Sequence, residues 1–206
     1  MLERGVDVII NEALATGTFG KDFKFREGQR EVIEAICNHY IEDPQGTIIL
    51  DAPTGSGKSL IAMWSAHVLK ELGKRGYLVT SDLMLQDQYE EDFKRLKLNW
   101  PSIRGVDNYI CNVNDLPFSL ADCKMKGIGY EAAEKLPCWN NCGYLQGRKR
   151  AKELPVALFN YSYYLIQRNY VEDKMQEQDR EVPFPIRDFV FFDEAHKVDS
   201  IVQSHF

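Results

Sequence analysis

The sequence lacks any long hydrophobic run. Polar and charged residues such as Glu3, Arg4 and Asp7 interrupt the apolar positions at the start, and no later stretch approaches the ~20 apolar residues that span a bilayer. From this sequence we expect neither a signal-peptide core nor a membrane span. We therefore expect an intracellular protein with no membrane partner.

Cysteine is scarce, and so is excess positive charge. The five cysteines are an odd number in a chain without a secretion signal, which argues for metal ligands or free thiols over a disulfide framework. A formal net charge of -6 argues against a protein that coats nucleic acid by overall charge, although a local basic surface is still allowed. Internal repeats and low-complexity tracts are absent too.

What is present fits a folded α/β protein. Hydrophobic residues make up 44% and charged residues 27% of 206 residues, the balance and size of one domain, with room for a small insertion. Buried strands are predicted at residues 47–50, 77–81, 156–160 and 189–192, with helices between them. This alternation is typical of a largely parallel sheet, here half of a doubly wound one.

Helical spacing of apolar residues predicts a helix over residues 59–72 and another that Asp82 caps. The apolar face of the second helix contains Leu85, Tyr89, Phe93 and Leu96. By contrast, residues 169–188 are rich in charge and contain two prolines, which indicates an exposed connection.

The stretch "APTGSGKS" follows the first predicted strand and opens a predicted helix. Glycines in such a turn let successive N–H groups point at phosphate oxygens, the lysine reaches the β- and γ-phosphates, and the hydroxyl after it can bind Mg²⁺. A chance glycine-rich turn is the alternative, which the flanking strand and helix disfavour. The predicted ATP-binding residues are Ala52, Pro53, Thr54, Gly55, Ser56, Gly57, Lys58 and Ser59.

The stretch "FVFFDEAH" delivers two carboxylates to the end of a predicted strand. Asp193 can hold Mg²⁺ together with Ser59, and Glu194 can orient and deprotonate the attacking water. A carboxylate pair at a strand end is often a solvated terminus. The phosphate loop earlier in the chain favours the catalytic interpretation.

Upstream, the stretch "FREGQ" provides Gln29, whose amide can both donate to and accept from an adenine edge. Phe23 or Phe25 could cover the base. A surface glutamine at a helix start explains the same residue, so the functional interpretation depends on its place before the phosphate loop.

Four cysteines lie within residues 104–145, called here the cysteine segment, where the strand–helix alternation breaks down. Four thiolates can bind one Zn²⁺ or hold a [4Fe-4S] cluster. Their crowding disfavours buried free thiols, whereas Cys37, in a predicted helix, is most simply a small core residue. The predicted metal ligands are Cys111, Cys123, Cys138 and Cys142.

After the cysteine segment, one predicted helix places Arg148, Lys149 and Arg150 beside Tyr144. Such a cluster can follow a phosphate backbone while an aromatic ring stacks on a base. A solvated helix face accounts for the same residues, and a nuclear-localisation signal is a further, poorly motivated alternative.

In this order, the motifs resemble those of the XPD/DinG-like iron-sulfur DNA helicases of superfamily 2. The resemblance rests on cysteines between two flanking segments as well as on the phosphate loop and the DEAH box, and it extends from about Phe25 to His196. The usual phosphate loop begins with glycine where this chain has Ala52. The matching stretches are "FREGQ", "DAPTGSGKS", "VTSDLMLQDQ", the four cysteines, "LFNYSYYL" and "FFDEAH".

The resemblance implies a RecA-like ATP-binding domain formed by residues 1–103 and 146–206, with an iron-sulfur insertion at 104–145. It also implies ATP-driven 5′-to-3′ movement on single-stranded or forked DNA, with a [4Fe-4S] cluster favoured over Zn²⁺. Lys58, Ser59, Asp193 and Glu194 would act on ATP and Mg²⁺. His196 would couple the ATP site to DNA, and the candidate DNA contacts are Thr80, Ser81, Arg148, Lys149 and Arg150.

Helicases of this class have two RecA-like domains, and the resemblance here covers the first. We therefore expect an N-terminal motor half whose second domain comes from another chain or lies outside this sequence. Two alternatives stay open: an ATP- and DNA-binding module without turnover of its own, and a zinc-containing ATPase with the same phosphate loop.

Overall fold

The computed structural model describes residues 4–171 and 184–205. In these residues three parallel strands form one sheet in the order β2–β1–β3. The strands are β1 (Gly76–Thr80), β2 (Val156–Asn160) and β3 (Phe189–Phe192). Three of the four predicted strands are therefore confirmed, in the predicted parallel arrangement.

Helices precede, separate and follow the strands. Short 3₁₀ turns lie at Val106–Asn108, Phe118–Leu120, Trp139–Asn141 and Ala195–Lys197, and a π-helical stretch at Ile166–Val171 continues α8. The helices are α1 (Val6–Thr16), α2 (Gln29–Glu42), α3 (Lys58–Glu71), α4 (Leu83–Arg95), α5 (Asp122–Met125), α6 (Tyr130–Ala133), α7 (Gly143–Glu153), α8 (Tyr161–Leu165) and α9 (Val198–His205).

Local hydrogen bonds begin two of these helices directly after strands. The Asp82 carboxylate accepts a hydrogen bond from the Leu85 N–H at 2.9 Å, which confirms the predicted cap of α4. Asn160, the last residue of β2, accepts in the same way from the Tyr163 N–H and begins α8. Strands β1 and β2 therefore both lead into a helix at the same edge of the sheet.

The predicted strand at residues 47–50 is wrong. This apolar run is not a strand, and its side chains are open to solvent: Ile48 is 44%, Ile49 89% and Leu50 37% exposed. A strand is stable only when a neighbouring strand pairs with its backbone N–H and C=O groups. In the described part of the chain the sheet ends at β3, and no strand pairs with this run.

The predicted exposed connection at residues 169–188 is confirmed only in part where the structure describes it: Pro185, Ile186 and Asp188 are exposed, but their neighbours are buried. Residues 172–183 lie outside the described residues, but Phe184 is 2% and Arg187 9% exposed. The Arg187 guanidinium lies 4.4 Å from the ring centre of Tyr77 and donates to the Gly76 carbonyl at 3.1 Å. Carbonyls and a ring face compensate much of this buried charge, although the Arg187 Nε has no hydrogen-bond partner among the described residues.

The two faces of the sheet bury different parts of the chain. Successive side chains of a strand point to opposite faces of the sheet. Leu78 and Leu158 thus face α1, α2 and α3. In that core the ring of Trp64 stacks on the ring of Phe19, with 4.0 Å between their centres. Tyr77 and Phe159 face α8 and the cysteine segment. The cysteine segment therefore covers one face of the sheet, while its predicted boundaries at residues 104 and 145 stay a prediction.

The close approach of β1 to β3 depends on one glycine. A Cβ on Gly76 would overlap the ring of Phe189, its partner in the register. Only glycine leaves room for that ring, which belongs to the buried core.

None of the helices in residues 4–171 and 184–205 has the length and apolar character needed to cross a bilayer.

Candidate active site

The predicted phosphate loop, residues 52–59, is a tight turn that leads into α3. Gly55 and Gly57 have φ values of +83° and +87°, a left-handed conformation that glycine adopts most easily. A Cβ on Gly57 would also lie 2.5 Å from the Gln29 side-chain nitrogen. Backbone conformation and the close neighbour both require glycine at this position.

Gln29 is hydrogen-bonded to the backbone of this loop. Its side chain is 4% exposed, its Nε2 donates to the Ser56 carbonyl at 2.9 Å, and its Oε1 accepts from the Arg26 N–H at 2.9 Å. The Arg26 guanidinium donates to the Gly55 carbonyl at 2.6 Å. Both ends of the predicted adenine-binding amide are thus engaged with backbone, and Arg26 is a loop contact that sequence reasoning missed.

The predicted base-covering rings belong to the core around α3. Phe23 and Phe25 lie 5.4 Å and 4.9 Å, centre to centre, from the ring of Trp64. Both remain partly exposed. Both rings therefore pack against α3, the helix that begins at the phosphate loop.

The Lys58 ammonium lies within the turn. Its Nζ donates to the Ala52 carbonyl at 2.9 Å and to the Pro53 carbonyl at 3.4 Å. Helix α3 begins at this residue, so the N–H groups of its first turn, which have no partner within the helix, face the phosphate loop. The positive end of the helix dipole and the ammonium together favour an anion here.

A direct hydrogen bond joins the two predicted Mg²⁺ ligands. The Ser59 hydroxyl donates to Asp193 Oδ2 at 3.0 Å, although the two residues are 134 positions apart. The Tyr89 hydroxyl donates to the same oxygen at 2.8 Å, and the Glu194 N–H donates to Oδ1 at 3.0 Å. A hydroxyl and a carboxylate at the phosphate loop are the oxygen donors that Mg²⁺ prefers.

Glu194 leaves β3 in an unusual conformation. Its φ is +58°, a left-handed value that costs a non-glycine residue roughly 1 kcal/mol. One carboxylate oxygen lies 3.4 Å from His196 Nε2, and the His196 side chain is 71% exposed. The structure therefore places all three predicted residues, Asp193, Glu194 and His196, together at the end of β3.

A cavity of about 920 Å³ connects the loop to the end of β3. Ala52, Thr54 and Lys58 line one side, Asp193 and Glu194 the other, and apolar side chains, those of residues 48–50 among them, complete the wall. A volume of this size, with an apolar wall and a few converging polar groups, is typical of a small-ligand site.

Thr80 and Ser81, the predicted DNA contacts at the end of β1, are buried. The Ser81 hydroxyl donates to the Asp82 carboxylate at 2.8 Å and accepts from Lys197 Nζ at 3.2 Å. Hydrogen bonds, chiefly from the Leu85 N–H, lower the pKa of Asp82. Lys197 was missed by sequence reasoning, and its place directly after "DEAH" was the available signal.

The cysteines of the cysteine segment lie near one another. Cys111 and Cys142 are buried and Cys123 and Cys138 half-buried, all as free thiols. Burial raises the pKa of Cys123, and the neighbouring Cys111 and Cys138 raise it further. Within residues 4–171 and 184–205, no group of three or more His, Cys, Asp or Glu is placed to hold a metal ion, so the metal assignment stays a prediction.

The predicted basic helix is confirmed as α7, but Tyr144 does not present a free ring. It is 7% exposed and tilts against Phe118 at 4.6 Å, with the Arg148 guanidinium 5.7 Å from its ring centre. Arg150 donates to the Asn99 side chain at 2.7 Å. The suggested stacking of a base on Tyr144 is therefore wrong, since the ring is used inside the fold.

Comparisons with known proteins found a family model and a solved structure that match this chain. The family model ResIII, described as "Type III restriction enzyme, res subunit", matches residues 22–203. Among solved structures, the chain is similar to one titled "Truncated XPD", with a TM-score of 0.46 and 19% identity over 86% of this chain and 54% of that one. The chain thus spans about half the length of that structure. A comparison with curated proteins found no match.

Proposed function

This chain belongs to the helicase-type ResIII family of the type III restriction enzyme res subunit, and from that membership we propose that it is the N-terminal half of a DNA helicase motor. In this proposal it binds ATP with Mg²⁺ and couples hydrolysis to 5′-to-3′ movement on single-stranded DNA. The family supports an ATP-dependent nucleic-acid motor. The choice of DNA and the direction are the proposed refinements.

The contact between Ser59 and Asp193 carries the proposal. It joins the phosphate loop to the carboxylates that end β3, at 3.0 Å, across 134 positions of sequence. Lys58 lies in the adjoining turn, and the cavity of about 920 Å³ opens between the two elements. A solvated strand end would not need a buried tyrosine hydroxyl and a serine hydroxyl on one carboxylate oxygen.

The residues divide the chemistry between them. Loop N–H groups and Lys58 hold the triphosphate, while Ser59 and Asp193 would hold Mg²⁺, which when bound neutralises phosphate charge. Glu194 orients the attacking water and accepts its proton. His196, whose Nε2 lies 3.4 Å from a Glu194 carboxylate oxygen and whose side chain is largely exposed, would couple this carboxylate to bound DNA.

In this proposal the cysteine segment would hold a [4Fe-4S] cluster, with Zn²⁺ as the alternative, although its thiols are not arranged around a metal ion in the described residues. Burial raises the pKa of Cys123 and Cys142, and neighbouring cysteines of the segment raise it further, so these thiols lie near one another. Two of the four cysteines are buried beside Phe118 and Trp139, which would shield a cluster from solvent. Cys111, Cys123, Cys138 and Cys142 would hold it and so tie together a segment with few regular elements.

A second RecA-like domain completes the proposed motor. Phosphoryl transfer in such enzymes gains 10³–10⁵-fold from an arginine finger. We propose that this domain, from another chain or from outside the present sequence, closes over the cavity between the phosphate loop and β3. Single-stranded or forked DNA would then lie across the surface that includes α7.

The test is ATP hydrolysis by the 206-residue chain, with and without single-stranded DNA, alone and with a helicase second domain added. We expect DNA-stimulated hydrolysis that Lys58→Ala removes through lost ATP binding. Glu194→Gln should keep ATP binding and lower hydrolysis about 10²–10⁴-fold, since it removes only the general base.

The two variants also separate the remaining possibilities. ATP binding without turnover, even with the second domain, would select the binding-module alternative. Hydrolysis that survives Lys58→Ala unchanged would show a contaminating enzyme and contradict the proposed site.

A further inference from the structure

Tyr89 is a fully buried residue of α4 whose hydroxyl reaches the candidate active site. Its side chain is 1% exposed, and its ring packs edge-on against Phe93 at 6.0 Å. The sequence pattern accounts for it as one apolar residue on the inner face of α4. A buried hydroxyl nevertheless needs a hydrogen-bond partner, and the partner here is a carboxylate.

The hydroxyl of Tyr89 donates to Asp193 Oδ2 at 2.8 Å. The same oxygen accepts from Ser59 at 3.0 Å, while Oδ1 accepts from the Glu194 N–H at 3.0 Å. The phenol O–H of Tyr89 is therefore a direct donor to the Asp193 carboxylate.

Asp193 also has a second tyrosine neighbour, which allows a matched comparison. The Tyr161 hydroxyl donates to the Asp193 backbone carbonyl at 3.1 Å, and its side chain is 0% exposed. Both tyrosines are buried and both bind the same residue. Only Tyr89 contacts the carboxylate that would face the metal.

Helix α4 contacts the chain after β3 at two points. The first is the hydrogen bond from Tyr89 to Asp193, and the second involves Lys197, the residue directly after "DEAH". Lys197 Nζ lies 3.4 Å from the Asp82 carboxylate that caps the helix. The helix that carries Tyr89 is thus held at its start and in its middle. This arrangement gives the Tyr89 hydroxyl a defined position relative to β3.

We propose that Tyr89 is a positioning residue whose hydroxyl orients the Asp193 carboxylate, so that Asp193 and Ser59 together receive the Mg²⁺ of the nucleotide complex. The inference rests on the proposed function and deepens it. Removing the hydroxyl leaves the ring and the helix in place but frees the carboxylate to rotate away from Ser59. The affinity for Mg²⁺ falls, while nucleotide contacts from the phosphate loop are retained.

The experiment measures binding of a fluorescent ATP analogue by the whole chain as Mg²⁺ is titrated, for Tyr89→Phe and the matched control Tyr161→Phe. A hydrogen bond to a charged group predicts about a tenfold rise in the half-saturating Mg²⁺ concentration for Tyr89→Phe. Tyr161→Phe should change it less than about threefold, since its partner is an uncharged carbonyl. Without Mg²⁺, Tyr89→Phe should bind the analogue as the wild type does.

A double-variant comparison separates positioning from general packing. In an Asp193→Ala background no side-chain oxygen is left to accept from Tyr89, so adding Tyr89→Phe should leave the Mg²⁺ dependence unchanged. Thermal unfolding of both phenylalanine variants shows that each is folded at the assay temperature.

The outcomes distinguish this inference from the proposed function. Wild-type protein that fails to bind the analogue with Mg²⁺ overturns the proposed function and this inference with it. Normal wild-type binding, with Tyr89→Phe unshifted or with both tyrosine variants shifted equally, overturns the role of Tyr89 alone.

Discussion

His67 is a titratable side chain in an apolar setting. It lies on α3, is 7% exposed, and its ring is 5.5 Å from the ring of Phe19 and 6.2 Å from that of Trp64. Among the described residues, its Nδ1 has no hydrogen-bond partner. Burial lowers the pKa of His67 to about 4, with Lys70 lowering it further and Glu71 opposing. The helix that begins at the phosphate loop thus contains a group that resists protonation.

We predict that the free energy of unfolding falls as pH is lowered from about 6.5 toward about 4. In this range His67 is protonated in the unfolded chain but stays neutral in the folded chain, because its pKa is lower there. Between pH 7 and pH 5 the loss from this residue should be roughly 2 kcal/mol. Urea unfolding at the two pH values measures it. His67→Gln should reduce the pH dependence in this window, and an unchanged dependence would show that other groups cause it.

At the scale of elements, the cysteine segment has few regular helices and packs against one face of the sheet. Tyr77, Val79 and Phe159 of the sheet share a buried cluster with Cys111 and Cys142. Cys37 lies elsewhere, in α2 on the opposite face, with a pKa raised to about 12 by burial and its thiol directed at the Ser65 carbonyl. The prediction that Cys37 is a core residue agrees with this position.

We predict that protein purified without oxygen is coloured and contains about four iron and four sulfide per chain. Cys142→Ser should lose most of the iron and the visible absorbance, because it removes one of the four proposed ligands. Cys37→Ala is the matched control and should retain both. Iron and sulfide assays with visible spectra decide the matter, and colourless protein with tightly bound zinc would contradict the cluster.

At the scale of the whole molecule, positive and negative charges are unevenly distributed along the chain. The formal charge is -6, yet residues 111–152 contain seven Lys or Arg against four Asp or Glu. Helix α7 concentrates this basic charge: Arg148 lies over Tyr144, and Arg150 is bound to Asn99. The partly exposed Lys149 is accordingly the cleanest position at which to test contact with nucleic acid.

We predict that Lys149→Ala weakens binding of single-stranded DNA at low salt and reduces the slope of log affinity against log salt by about 0.7, the loss of one phosphate contact. Fluorescence anisotropy of a labelled oligonucleotide across a salt series measures both quantities. Lys21→Ala, at an exposed lysine between α1 and α2, should bind like the wild type. Equal behaviour of the two variants would remove α7 from the proposed DNA surface.

Local chemistry in the sequence determined much of this protein. The glycines and lysine of the phosphate loop, the cap at Asp82, and strands β1, β2 and β3 followed from turn geometry, hydrogen-bonding side chains and apolar spacing. These features depend on residues close together in the chain. The loop and the cap could therefore be predicted without knowing what packs against them, whereas apolar spacing marked the three strands only as candidates for pairing.

Only the tertiary structure decided which distant groups meet. The 3.0 Å contact of Ser59 with Asp193, the Tyr89 hydroxyl on the same oxygen and the burial of Tyr144 all depend on packing between elements. The run at residues 47–50 has a strand-like pattern but no paired neighbour in the described chain. A strand forms by pairing, and pairing is a property of the sheet rather than of the segment.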